Sequence, residues 1–173
     1  MDLHFLSPDL RRLDEAPTEV LLACLFEDER PVQGVAGLVN WRLAGRLDRL
    51  LEGGFLTGKL GEVMMIPGGP RLRADKVLLV GLGPIGAFDV HVFDEASERI
   101  LNTLHGLAVR TALVELPGRH IDAISPENAA DRFFELASAD HFRFDAFVLL
   151  EKPAAHKRIT QHMVEERRRI RRV

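Results

Sequence analysis

Lys76–Gly86 reads KVLLVGLGPIG. Val77 to Val80 form an unbroken apolar run without a polar face, the mark of a strand buried on both sides. Gly81, Gly83 and Gly86 then follow with the G-x-G-x-x-G spacing of a dinucleotide-binding turn. A buried strand that leaves through glycines towards a helix is the repeating corner of an α/β sheet.

The rest of the chain repeats that plan. Glu19 to Phe26 (EVLLACLF), Thr111 to Leu116 (TALVEL) and Phe144 to Leu150 (FDAFVLL) are further near-continuous apolar runs, and Glu62 to Pro67 (EVMMIP) is a shorter one. Between them lie helical patterns. Leu38, Trp41, Leu47, Leu50 and Leu51 predict a helix from Leu38 to Glu52, stopped by Gly53-Gly54. Asp89 is the expected N-cap of a second helix, whose inner face carries Val90, Phe93, Ile100, Leu101, Leu104 and Ala108. Ser125-Pro126-Glu127 supplies an N-cap, a proline at the first helical position and an acidic first turn. That third helix turns Ala130, Phe133, Phe134 and Ala137 inward. Strands without a polar face, alternating with helices, predict a three-layer α/β/α domain around a mainly parallel or mixed sheet.

At 173 residues the chain has the length of one domain. Composition shifts near Pro153, which predicts a body over residues 1–153 and a basic tail over 154–173, helical or frayed. The net charge is −3, but residues 156–173 carry seven Lys or Arg against two Glu, a local +5 that leaves −8 on residues 1–155. An acidic body is a poor general surface for nucleic acid. Cys24 is the single cysteine, placed inside a buried run where it serves as a small hydrophobe. No apolar stretch reaches the ~20 residues of a membrane span and no signal peptide opens the sequence, so the expected compartment is the cytoplasm.

Set in order, the residues resemble a known family. FEDER (Phe26–Arg30) ends an apolar strand and steps into a helix. Phe55, Gly58, Lys59, Gly61 and Glu62 then give F-x-G-K-x-G-E, and ADKVLLVGLG finishes in G-L-G. This looks like the N-terminal domain of the leucyl (cytosol) aminopeptidases, peptidase family M17, over Glu19 to Leu150. The resemblance implies a macro-domain-like α/β/α fold. It also implies that the metal-dependent chemistry belongs to a separate C-terminal domain, about twice the size, around an N-T-D-A-E-G-R signature. That string does not occur among the 173 residues. No catalytic residue carries over, and no metal or cofactor is implied for these residues.

The glycine turn is the candidate cofactor site, at Gly81, Gly83 and Gly86. Three features count against it. Pro84 lacks the N–H that would cradle phosphate. Asp89 places negative charge where phosphate would sit. Glu115 lies too far along to serve as the acidic ribose partner. A structural corner is the favoured reading. Glycines at Gly53-Gly54 and Gly81-Leu82-Gly83 leave open a macro-type pocket for a nucleotide or ADP-ribose-like ligand. The histidines (His4, His91, His105, His120, His141, His156, His162) show no metal-ligand spacing and are expected at the surface or in caps. Lys59 and Glu62 are expected in a solvated turn.

The function expected on these grounds is that of a non-catalytic assembly or binding module. It would pair with itself or with a separately encoded aminopeptidase catalytic subunit. Small-ligand binding is the alternative, and DNA contact through the basic tail is a weaker one.

Overall fold

In the computed structural model residues 1–170 are described, with backbone only for residues 166–170. Six strands form one sheet in the order β1-β6-β5-β2-β4-β3. They are β1 (Asp2–Leu6), β2 (Thr18–Leu25), β3 (Val63–Pro67), β4 (Ala74–Gly81), β5 (Thr111–Val114) and β6 (Ala146–Leu150). All neighbours are parallel except β3, which runs antiparallel to β4 at one edge. The sheet is therefore mixed, as the unalternated apolar runs predict.

Alternate residues of β2 feed two cores. Val20, Leu22 and Cys24 face one layer, with α4 (Val90–Gly106), α5 (Pro126–Ala137) and α6 (Pro153–Ile170). Leu21, Ala23 and Leu25 face the other, with α1 (Leu10–Glu15), α2 (Gly34–Arg42) and α3 (Arg46–Glu52). Phe26, Phe93, Phe133 and Phe147 are fully buried, and each such side chain removed from water stabilises the fold by about 1.5–3 kcal/mol. The strand pattern and the two layers give the three-layer α/β/α sandwich.

Helix starts follow the sequence. Asp89 caps α4 by accepting from the Val92 N–H, and Ser125 caps α5 by accepting from that of Asn128. The helix expected over Leu38–Glu52 is instead two. Ala44 and Gly45 adopt positive φ (55° and 76°), and Asn40 Oδ1 accepts the N–H groups of Leu47 and Asp48 to open α3. The apolar period runs across this break, so periodicity alone does not reveal it. The basic segment begins as a helix at Pro153, and its Ala155 and Ile159 are buried in the core. Arg158 pairs with Glu127 of α5 at 2.6 Å. Arg171 and Arg172 lie outside the described residues.

Candidate functional site

Adjacent strands β2 and β5 send the chain to opposite faces of the sheet: β2 leads to α2, β5 to α5. Such a switch point opens a crevice at the carboxyl ends of the strands, where open α/β sheets place ligands. A cavity of about 540 Å³ lies there, lined by Gly34, Val35, Glu115, Arg119, His120 and Glu151 among others. That volume falls within the range of small-molecule sites.

Glu115 follows β5 directly and is 2% exposed. Its Oε2 accepts the Cys24 N–H at the end of β2 (2.9 Å), and its Oε1 accepts the Val35 N–H at the start of α2 (3.0 Å). One carboxylate therefore ties two strands and a helix together. Gly34, at φ +63°, makes room: a Cβ there would stand 2.6 Å from Glu115 Oε1 and 2.8 Å from the His120 side chain. Burial pushes the Glu115 carboxyl up, although His120 and the two N–H groups pull the other way.

His120 is bonded through Nε2 to Glu29 Oε2 at 2.9 Å and holds its Nδ1 3.7 Å from Glu115 Oε1. Arg119 forks onto Glu151, with Nε–Oε1 at 2.7 Å and Nη2–Oε2 at 3.2 Å, and donates to the Ile124 carbonyl at 2.6 Å. Burial opposes the Arg119 charge, but the bonds to Glu151 outweigh it and raise its pKa. The buried charges of Arg119 and Glu151 are thus paired with one another. A carboxylate already occupies the positive first turn of α2, which works against an added phosphate.

The glycine turn lies elsewhere, at the end of β4. There the N–H of Gly81 bonds the Glu62 carbonyl, that of Leu82 the Leu25 carbonyl, and that of Gly83 the Gly58 carbonyl, all at 2.9–3.0 Å. The N–H of Ile85 goes to Asp28 Oδ1 at 2.9 Å. Gly81 is needed for a close approach, because a Cβ would stand 2.1 Å from the Lys59 carbonyl oxygen. Gly86 sits in a 3₁₀ turn, Ile85–Ala87, with open space around it. None of the three lines the crevice.

Two expectations need correction. His120 is not a surface histidine, because the carboxylates of Glu29 and Glu115 flank its ring in the interior. Glu62 is not merely solvated: its carboxylate accepts the N–H groups of Thr57 and Gly58 and so shapes the TGKLGE loop. Cys24 is fully buried, as expected, and burial followed by the nearby Glu115 charge pushes its thiol well up. Among the described residues, no three His, Cys, Asp or Glu side chains converge to hold a metal ion. No helix among them is long and apolar enough to cross a membrane. Sequence reasoning passed over Glu115 and His120 as site residues. The available signal was an acid closing an otherwise apolar strand, TALVEL.

Residues 22–148 match the model of the cytosol aminopeptidase family, N-terminal domain. A probable cytosol aminopeptidase of Pseudomonas syringae pv. tomato is 27% identical over 126 residues, covering 73% of this chain and 25% of its own length. One from Methylobacillus flagellatus is 29% identical over 155 residues, covering 88% and 29%. The chain thus spans about a quarter of the length of the curated relatives it matches. Among solved structures, a tomato leucine aminopeptidase superposes with TM-score 0.62 at 14% identity, over 94% of this chain and 35% of that one. The macrodomain of Mycobacterium tuberculosis DarG gives 0.64 at 14% identity, over 87% and 98%. An Oceanobacillus iheyensis macrodomain solved with ADPR gives 0.67 at 12% identity, over 94% and 92%. These structural likenesses establish the fold as macrodomain-like. By the match over most of its length, and in keeping with FEDER, F-x-G-K-x-G-E and G-L-G, the chain belongs to the cytosol aminopeptidase family through its N-terminal domain.

Proposed function

We propose that these residues act as a non-catalytic assembly or binding module rather than as a peptidase. The observation that carries this reading is the self-pairing of the crevice. Glu115 is spent on backbone N–H groups, Arg119 on Glu151 and His120 Nε2 on Glu29, so most of the polar lining is engaged within the chain, with His120 Nδ1 left unbonded. The partner is a second copy or an aminopeptidase catalytic subunit, in the cytoplasm. Incubation of the purified chain with a leucine anilide and Mn²⁺ or Zn²⁺ tests it. No turnover is expected, and turnover that scales with enzyme concentration would overturn the reading.

A second reading rests on the cavity itself. Its place at the switch point, and the macrodomain solved with ADPR, favour a small ligand of nucleotide type. Thermal shift against ADP-ribose separates the two. No shift at millimolar ligand is expected, because the Glu115 carboxyl already occupies the N-terminus of α2, and a saturable shift would favour this second reading.

A further inference from the structure

The two edges of the sheet differ in chemistry. At β3 the Glu62 carbonyl accepts the Gly81 N–H and the Gly68 N–H reaches the Asp75 carbonyl, so the alternate residues Val63, Met65 and Pro67 turn their backbone groups outward. Pro67 has no N–H to offer there, which guards that edge. At β1 the Asp2 N–H bonds the Asp145 carbonyl, and the Leu6 carbonyl accepts the Glu151 N–H. The same alternation points the N–H and C=O groups of Leu3 and Phe5 away from β6. Among the described residues no strand lies on that side, and DLHFL holds neither proline nor lysine to guard it. A groove of about 640 Å³ runs along this edge, lined by Leu3, Phe5, Phe134, His156, Met163 and Val164 among others. Asp2 and His4, on the other face of the strand, line it too. Met1 and Val164 there are 55% and 43% exposed.

We propose that two copies of this chain join edge to edge through β1, antiparallel about Leu3, as a closed two-fold dimer. The proposal rests on the assembly reading above and names its partner. β1 is complementary to itself in this register. Leu3 exchanges both backbone bonds with Leu3 of the second copy, and the outward N–H of Phe5 meets the Met1 carbonyl of the second copy. Asp2 then stands directly opposite His4 of the second copy, twice in the dimer, as a cross-strand pair of complementary chemistry. Leu3, Phe5 and Met1 of both copies meet on the α6 side. The helix agrees with this axis. His156 stacks on Phe5 with ring centroids 4.1 Å apart, and α6 returns along β1 to share the groove with Met1. Leu3 lies about 7 Å from Phe5 along the strand, a distance α6 covers in about four to five residues from His156. The two-fold therefore passes nearest Thr160 and Gln161. Lys157 and Glu165 are centred on Gln161, so each comes level with its opposite in the second copy. Both are exposed, and among the described residues neither has an ion-pair partner. Glu165 accepts only from Gln161, at 3.1 Å. Arg158 and His162 are already held, by Glu127 and Asp131. The two antiparallel helices end on opposite sides of the dimer, which keeps their basic C-terminal sequences apart.

Sedimentation velocity of the full chain over a concentration series tests this. A monomer–dimer equilibrium with nothing larger is expected, because an isologous contact closes once both β1 edges are used. Leu3→Pro removes an outward N–H that does not serve β6, and an edge strand tolerates proline there, so it should weaken the dimer at least about tenfold. His4→Asp sets two carboxylates opposite each other at both ends of the pairing and should weaken it about tenfold. The exchange D2H/H4D restores the opposite pair and should recover most of that loss. Circular dichroism and thermal midpoints at dilute, monomeric concentration verify folding, and the exposed His4 decides the matter if Leu3→Pro fails to fold. A wild-type chain that stays monomeric overturns the proposal, even if it then pairs with an aminopeptidase catalytic subunit and so upholds the assembly reading. A dimer unmoved by His4→Asp overturns it in favour of another face. Species larger than a dimer, or a monomer that takes an extended peptide along β1 in place of a second copy, overturn it as well.

Discussion

His120 Nδ1 stands 3.7 Å from Glu115 Oε1, too long for a hydrogen bond. Glu29, on the other side of the ring, accepts the better bond, from Nε2 at 2.9 Å. The imidazole thus links the loop after β2 to the loop after β5, and Glu115 links both to α2. Separate bonded groups line the crevice floor inside an otherwise apolar sheet end, and removing Glu115 or Glu29 leaves its own partners unbonded.

Glu115→Ala should be the most damaging single change at the site. It leaves the buried N–H groups of Cys24 and Val35 without acceptors, at about 1–3 kcal/mol each. Urea unfolding checks this. The pH dependence has a definite sign. Burial raises the Glu115 carboxyl above its ordinary value, so the folded chain binds that proton more tightly than the unfolded one. Its contribution to stability therefore falls as pH rises from the ordinary Glu range through the raised value. Glu115→Gln keeps one acceptor and cannot ionise, so its stability should be flatter than wild type across that window.

Gly34→Ala tests the backbone that accommodates this acid. The φ of +63° strains any side chain, and the new Cβ would overlap Glu115 Oε1 and His120. A loss of about 2 kcal/mol or more is expected, with the cavity lining disturbed even if the chain still folds. A variant as stable as wild type would contradict the close packing of α2 against Glu115.

Arg119 and Glu151 are 7% and 5% exposed in their side chains. Arg119→Met alone leaves a buried carboxylate uncompensated and should cost about 3–5 kcal/mol. The double change Arg119→Met with Glu151→Leu removes both charges and should recover most of that loss. A double-mutant cycle from denaturant unfolding reads the coupling. If the two losses simply add, the fork does not act as a pair.

Much of the fold was legible in the sequence, for local reasons. β2, β4 and β6 announce themselves by apolar runs buried on both faces, and α4 and α5 by Asp89 and Ser125 in capping positions. β1 was missed: DLHFL is short, and its place is set by parallel pairing with β6, from Asp2↔Ala146 to Leu6↔Leu150. The break between α2 and α3 was missed because Asn40 makes it through bonds seven and eight residues away. The site was hardest to read. Val35 and Glu115 lie 80 residues apart, and Glu29 and His120 lie 91 apart, so no spacing rule joins them. The G-x-G-x-x-G spacing, by contrast, is plain in the sequence and sits outside the crevice.

That glycine turn yields a last test, because a structural corner and a phosphate cradle differ in which glycine matters. Gly81 abuts backbone: a Cβ would lie 2.1 Å from the Lys59 carbonyl oxygen and 2.7 Å from the Gly58 carbonyl carbon. Neither atom can swing aside as a side-chain tip would, so Gly81→Ala should destabilise by several kcal/mol, about the scale of overpacking in a core. At Gly86 an added Cβ would have nothing within 4 Å, and the backbone there has no positive φ. Gly86→Ala should therefore be neutral or gain about 0.4–1 kcal/mol by narrowing the unfolded ensemble. Thermal unfolding of both variants gives the contrast directly. A cradle would behave otherwise: Gly86→Ala would leave stability unchanged yet abolish a nucleotide-induced thermal shift that wild type shows. With the N–H groups of Gly81, Leu82, Gly83 and Ile85 already bonded within the chain, no such shift is expected in either protein.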